Sequence, residues 1–322
     1  MVKAIIYRKY GCPDVLELAD IEKPVPKDDE VLIKVHATTV SPVDWHFRSG
    51  TPFLARKMAG GFLKPKIVIL GFDIAGEIES AGRNVQRLKG GDQVYGLVPL
   101  WANGANAEYI CVSEKNVIPK PGNMTYEEAA AVPIASTVAL RFLRAGSIQS
   151  GQRILINGAS GGLGTFAVQL AKSFGTEVTA VCSTANPEMV RSLGADEVID
   201  YTKEDFTERG QTYDLIFDAV GKNSFPNCKK CLTQKGVYIS TILTFQIFLY
   251  MLWTLFTGRK AKFAIPKVTI EDLSFVNDLI EARKVKPVID RCYPLEEIAE
   301  AYRYAETGHT KGRIIVRVAD EP

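Results

Sequence analysis

The chain has 322 residues, enough for about two domains. Its 39 Lys and Arg against 37 Asp and Glu leave a formal charge of +2, which argues against a dedicated nucleic-acid binder. With 46% hydrophobic and 24% charged residues it is composed as a soluble globular protein; six cysteines are too sparse for a disulfide scaffold, and three histidines (His36, His46, His309) exclude a site built on several of them.

Residues 1–7 read as an edge strand, with neither the long apolar core nor the cleavage site of a signal peptide, so the expected compartment is the cytoplasm. Residues 30–37, 75–78 and 93–98 have strand composition and are separated by turn signals at 23–26, 90–92 and 103–104. That spacing predicts a compact antiparallel barrel or sandwich. Beyond 121–123 the character changes. Residues 125–143 are Ala-rich and predict one helix, with Thr125 as its cap and Glu128 returning the bond. Short apolar strands at 153–156, 177–181, 197–199, 215–217 and 236–239 then alternate with helical stretches, the pattern of a parallel, doubly wound α/β sheet. From about residue 264 the chain is mixed again and ends in a strand at 313–318.

The most informative window is 154–174. An apolar strand runs into Asn157-Gly158-Ala159-Ser160-Gly161-Gly162-Leu163-Gly164, and an apolar helix follows. Unpaired N–H groups and the positive dipole end at a helix start favour a pyrophosphate, and side chains at Gly161 and Gly162 would block its approach. Gly164 allows close packing of the helix, and Ala159 occupies the first glycine slot of the fingerprint. The second strand then ends in Cys182-Ser183-Thr184-Ala185-Asn186, without the Asp or Glu that meets a free ribose 2′-OH. Ser183, Thr184 and Asn186 suit a 2′-phosphate, so NADPH is preferred over NADH.

With these motifs in hand the chain resembles the zinc-independent branch of the medium-chain dehydrogenase/reductases: quinone oxidoreductases, alkenal reductases and related enoyl reductases. The stretches that carry the resemblance are 41–50, 71–76, 129–137, 157–164, 194–201 and 308–313. It implies a GroES-like β-barrel catalytic domain from residues 1–123 and 266–322. A Rossmann domain from 124–265 lies between them in sequence, and the active site lies in the cleft. It places Thr137, Ile239, Ser240 and Thr241 against the nicotinamide, Tyr201 near the adenosine phosphate, Val220 and Gly221 along the ribose side, and Lys311 within reach from the returning terminus. The slots that hold catalytic zinc in the zinc-dependent cousins fall on Ser41, Phe72 and Pro133, none of which supplies a thiolate or imidazole, so no zinc is expected. Cys228 and Cys231 read as inert helix cysteines.

Without a metal, a substrate oxygen must be polarised by hydrogen-bond donors. His46 is the candidate donor, where relatives carry tyrosine or lysine, and Ser41 is the second. Asp44 reads as a residue that holds this loop. The implied reaction is NADPH-dependent reduction of a quinone or an α,β-unsaturated carbonyl. The alternatives are a zinc-free NADP-dependent alcohol or carbonyl dehydrogenase, and a non-catalytic nucleotide- or RNA-binding relative. Expected partners are a small apolar carbonyl or quinone and a second copy in a homodimer, with no nucleic acid. The uncharged run 241–257 sits at the lower limit of a membrane span. It is read as a substrate lid or oligomer contact, with a weak peripheral membrane contact through 245–256 as the other reading.

Overall fold

The computed structural model describes residues 1–265 and 268–319. The chain divides into two compact units, one of Met1–Ile134, Thr269–Asn277 and Pro287–Pro322, the other of Ala135–Val268 and Asp278–Lys286. The sequence-based boundary at 265/266 and the terminus at 322 touch residues outside the described set.

The first unit is built on the long strand Glu30–Val40. One edge pairs antiparallel with Asp73–Ala81 through two register shifts. The other edge is shared: its first half pairs with Tyr109–Ser113 and its second half with the returning strand Arg313–Arg317. Val31, Ile33 and Val35 alternate into the core with Ile74, Ile78 and Val94. Ile289–Pro294 runs parallel to Arg313–Arg317, and helix Ile298–Glu306 makes the crossover that a parallel pair needs. The first strand, Val2–Ile6, pairs with Glu17–Ile21 in a separate two-stranded sheet.

Two motifs from opposite ends of the sequence meet inside this unit. Asp73 and Arg313 form a buried ion pair, and the Asp73 carboxylate also accepts from Thr39 Oγ1 at 2.6 Å and from the Ile134 amide at 2.7 Å. Burial raises the Asp73 carboxyl, and the Arg313 charge and these donors oppose that rise.

The predicted helix over 125–143 is two helices, Tyr126–Ala130 and Pro133–Ala145. Thr125 and Glu128 do form the reciprocal cap. Pro133 divides the run, because the proline ring disfavours helical backbone before it and donates no hydrogen bond, yet starts a new helix without cost.

The second unit is a six-stranded, all-parallel sheet. Its spatial order is Glu197–Asp200, Glu177–Cys182, Arg153–Asn157, Tyr213–Asp218, Leu232–Ser240, Lys260–Phe263. That is the 3-2-1-4-5-6 order of a Rossmann sheet, with its switch point between Arg153–Asn157 and Tyr213–Asp218. The inner strands are buried on both faces, which is why they read as unbroken apolar runs. The sixth strand is not in the sequence reading. The apolar run that precedes it is the crossover helix Phe245–Trp253 and a short 3-10 turn, Thr254–Phe256, and the fifth strand ends at Ser240. Among the described residues no helix is long and apolar enough to cross a membrane.

Candidate functional site

In the second unit the chain turns at the C-terminal end of every strand, and the turns from the middle of the sheet are tied to one another. Gly158 and Ala159 donate to the Val181 carbonyl at 3.1 and 3.0 Å, which fixes the glycine turn against the second strand. Gly158 has φ +82°, a left-handed conformation that favours glycine. A Cβ at Gly164 would stand 2.1 Å from the Gly158 oxygen, so helix Gly162–Ser173 can begin this close only without one. At Gly161 the situation is opposite. A Cβ there would meet only the Gly158 oxygen, at 3.6 Å, so the protein's own packing does not demand glycine, whereas a closely approaching phosphate does. The first-turn N–H groups of the helix, at Gly162, Leu163 and Gly164, have no intrahelical acceptor.

Beside this turn, Asn186 Nδ2 donates to Ser160 Oγ at 3.1 Å and to Ser183 Oγ at 3.2 Å. Asn186 Oδ1 is buried and has no partner. An unmatched acceptor beside two hydroxyls is a place for a ligand donor. Thr184 is engaged differently. Its hydroxyl donates to Asp200 Oδ2 at 2.6 Å, and Thr202 Oγ1 donates to Asp200 Oδ1 at 2.7 Å. The Thr184 bond, the Thr202 bonds and Lys203, 3.2 Å away, hold the Asp200 carboxyl well below its ordinary range. An acid of the third strand thus stands beside the end of the second, a pairing that sequence spacing did not disclose.

The fourth strand ends in Asp218, also absent from the sequence-based residues. Its fully buried carboxylate accepts five hydrogen bonds. Asn157 Nδ2 (2.9 Å), Val220 N (3.2 Å) and Gly221 N (3.0 Å) reach Oδ1; Asn223 N (3.0 Å) and Tyr238 Oη (2.9 Å) reach Oδ2. Asp218 therefore ties the end of the first strand to the 219–223 turn and the fifth strand. Burial, followed by this neighbouring carboxylate, pushes the Tyr238 phenol up. Val220 packs over Gly158, so the second turn lies against the first. Thr241 joins the group by donating from its amide to the Asp218 carbonyl at 3.2 Å. Ser240 Oγ accepts from the Ile242 amide at 3.2 Å, and Ile239 is buried within its strand. A cavity of about 240 Å³ adjoins the second turn, lined by Lys222, Asn223, Ser224, Ser240 and Thr244 among others.

Tyr201 is exposed, its amide on the Cys182 carbonyl at 3.1 Å. Thr137 is buried in helix Pro133–Ala145. Lys311 is an exposed residue of the first unit whose amide donates to Asp290. Cys228 and Cys231 are buried, and burial pushes both thiols up, away from the reactive thiolate.

In the first unit, Ser41 opens helix Pro42–Ser49 and is buried. Its hydroxyl donates to Asp44, which also accepts from the Ser41 amide at 2.8 Å and the Gly71 amide at 2.9 Å. Burial, only partly offset by these donors, raises the Asp44 carboxyl to about 6. His46 is exposed, with Nδ1 2.6 Å from the Thr51 carbonyl. A carbonyl only accepts, so Nδ1 carries the proton and Nε2 of the neutral ring presents a lone pair. His46 donates outward only as imidazolium. His36 stacks on Tyr126, ring centroids 4.1 Å apart.

A doubly wound parallel sheet with a glycine turn at its switch point, braced by a carboxylate-held second turn, defines a dinucleotide-binding protein. The zinc-binding dehydrogenase model matches residues 193–316, and the alcohol dehydrogenase GroES-like domain model matches residues 27–122. A 2-methylene-furan-3-one reductase of Solanum lycopersicum is 36% identical over 326 residues, covering 98% of this chain and 79% of the relative. An NADPH-dependent alkenal/one oxidoreductase of Arabidopsis thaliana, chloroplastic, has the same identity and coverages. The quinone oxidoreductase structure from Coxiella burnetii superposes with TM-score 0.89 at 31% identity and 99% coverage of both chains. The chain belongs to the medium-chain dehydrogenase/reductase family, with a GroES-like domain and a Rossmann domain, and is an oxidoreductase served by a nicotinamide coenzyme.

The zinc that many family members carry does not fit the residues present. Ser41 is committed to Asp44, Phe72 is buried against Phe47, and Pro133 starts a helix. Among the described residues no three His, Cys, Asp or Glu side chains gather as a metal set.

Proposed function

We propose that the protein is a zinc-independent, NADPH-dependent reductase of quinones or α,β-unsaturated carbonyls. The observation that carries this reading is the combination of an intact dinucleotide cradle with Ser41, Phe72 and Pro133 in the metal slots. When bound, NADPH supplies the hydride that adds to a quinone or to the carbon β to a carbonyl.

The chain's own residues do the rest. The first-turn amides of helix Gly162–Ser173 hold the pyrophosphate, and Asp218 keeps the 219–223 turn in position for the ribose side. Ser160, Ser183 and Asn186 offer hydroxyl and amide groups to the adenosine end, with Asn186 Oδ1 ready to accept. The names of the relatives, one of them NADPH-dependent and all acting on conjugated carbonyls or quinones, support the coenzyme and substrate class. Charge that gathers on the substrate oxygen is met by hydrogen-bond donors in place of a Lewis acid. His46 serves there as imidazolium, or leaves the last proton to water. Ser41 serves only by releasing Asp44, which makes it the weaker donor.

A homodimer and a cytoplasmic location belong to the same reading; light scattering and cell fractionation test them. The central experiment follows NADPH oxidation against a panel of quinones and enals, with and without a metal chelator. Turnover on one of the two classes, indifferent to chelation, is expected. A protein that binds NADPH yet turns over neither class, or that loses activity to the chelator and regains it with zinc, refutes the proposal. So does reduction of NADP⁺ by simple alcohols alone.

A further inference from the structure

Residues 219–270 carry eight Lys and Arg (positions 222, 229, 230, 235, 259, 260, 262 and 267) and not one Asp or Glu. The rest of the chain has 31 Lys and Arg against 37 Asp and Glu, so a nearly neutral protein contains a strongly cationic stretch and a mildly acidic remainder. Among the described residues only one of these cations, Lys230, pairs with a carboxylate, that of Glu208.

The same stretch carries the most exposed apolar surface of the second unit. In helix Phe245–Trp253 only Ile247 is buried. Phe245, Phe248, Leu249, Leu252 and Trp253 are exposed, and Phe256 beyond them is 94% exposed. A surface helix ordinarily turns polar residues outward, so an apolar crest of this size marks an interaction face. Cations sit at its end. Lys229 Nζ lies 4.7 Å from the centre of the Trp253 ring, and Lys260 Nζ binds the Thr254 and Leu255 carbonyls at 2.8 and 2.9 Å.

We propose that this face docks on a membrane surface that carries anionic lipid, with the rings and leucines of 245–256 entering the headgroup boundary and the surrounding lysines meeting lipid phosphates. The pairing of an aromatic crest with cations from a stretch that itself contains no acid is complementary to such a bilayer. A second copy of the chain would instead bring the same cationic stretch against itself. A nucleic acid would match the charge but leave the leucines and phenylalanines uncovered. The nine-residue helix lies on the surface of the bilayer and does not span it. The inference stands independently of the reductase reading.

Co-sedimentation of the full chain with phosphatidylcholine vesicles, with and without phosphatidylglycerol, tests the proposal. Anionic vesicles are expected to retain the protein about tenfold or more better than neutral ones, with retention falling as salt rises. Phe248→Ser together with Phe256→Ser is expected to lower retention about tenfold or more, and Lys229→Gln with Lys235→Gln about tenfold or more as well, since each cation contributes about fivefold. Circular dichroism melting verifies that the variants fold; single Phe256→Ser replaces the double variant if it does not. Failure to sediment with either vesicle, equal retention by both, or unchanged binding of the folded Ser variant overturns the proposal. A dimer that Phe256→Ser converts to monomer would assign the face to a second copy and overturn it. RNA retention that ignores the Ser substitutions would overturn it in favour of nucleic acid.

Discussion

Replacing Asp218 by asparagine probes the brace beneath the coenzyme cradle. The carboxylate takes five donors, three on Oδ1 and two on Oδ2. The amide keeps one accepting oxygen and puts an NH₂ group where two donors converge. Tyr238 escapes the conflict, because its hydroxyl already reaches the Asn223 carbonyl at 2.9 Å and can donate there alone. The Asn223 amide has no such outlet. The orphaned N–H of half-buried Asn223 costs about 1–3 kcal/mol, and a neutral oxygen in place of a charged one weakens the other bonds by about 1 kcal/mol. Asp218→Asn is therefore expected to lose about 2–4 kcal/mol in urea unfolding. The 219–223 turn then shifts away from Gly158, and the Kd for NADPH measured by calorimetry rises about tenfold or more. Asp218→Ala leaves the other four donors unmatched, Tyr238 alone keeping the Asn223 carbonyl, and is expected to cost more on both measures. An Asp218→Asn protein with an unaltered unfolding midpoint and unaltered Kd refutes the assignment of Asp218 as a positioning residue.

Two further outcomes follow from the carboxylates. Burial raises Asp44 from 3.8 to about 6, so the native state binds the proton more tightly than the unfolded chain does. The resulting stability, about 3 kcal/mol, is fully present below the unfolded value and is lost as pH rises through about 6. Asp44→Asn should reduce the slope of stability against pH in the window from about 4 to 6, and an unchanged slope refutes the reading. Asp200 stands by Thr184, where a ribose 2′ group is expected, and occupies both neighbouring hydroxyl protons. Asp200→Asn should raise the kcat/KM ratio for NADPH over NADH severalfold, the size limited by solvent screening and by Lys203. A ratio that does not move places the 2′ group elsewhere.

Much of the second unit was legible because its signals are local. A glycine turn between an apolar strand and an apolar helix needs neighbours only a few residues apart, and strands buried on both faces announce themselves by composition alone. The sixth strand escaped because it is four residues long, lies at the sheet edge, and reads Lys260-Ala261-Lys262-Phe263, a pattern without a continuous apolar run. The single helix expected over 125–143 failed at Pro133, where the local proline rule outweighed the helical period.

Sequence alone determined the fold class, since apolar strands alternating with helices around a glycine turn are written in residue identity at short range. Folding decided which distant groups share a site. Asn157 and Asp218 are 61 residues apart and meet because the first and fourth strands are neighbours; Thr184 and Asp200 meet because the second and third are. Asp73 and Arg313 meet because the last strand returns to the first unit's sheet. Hydrogen bonds and charge pairs act over a few ångströms of space, and strand order, which chain position does not encode, sets that separation.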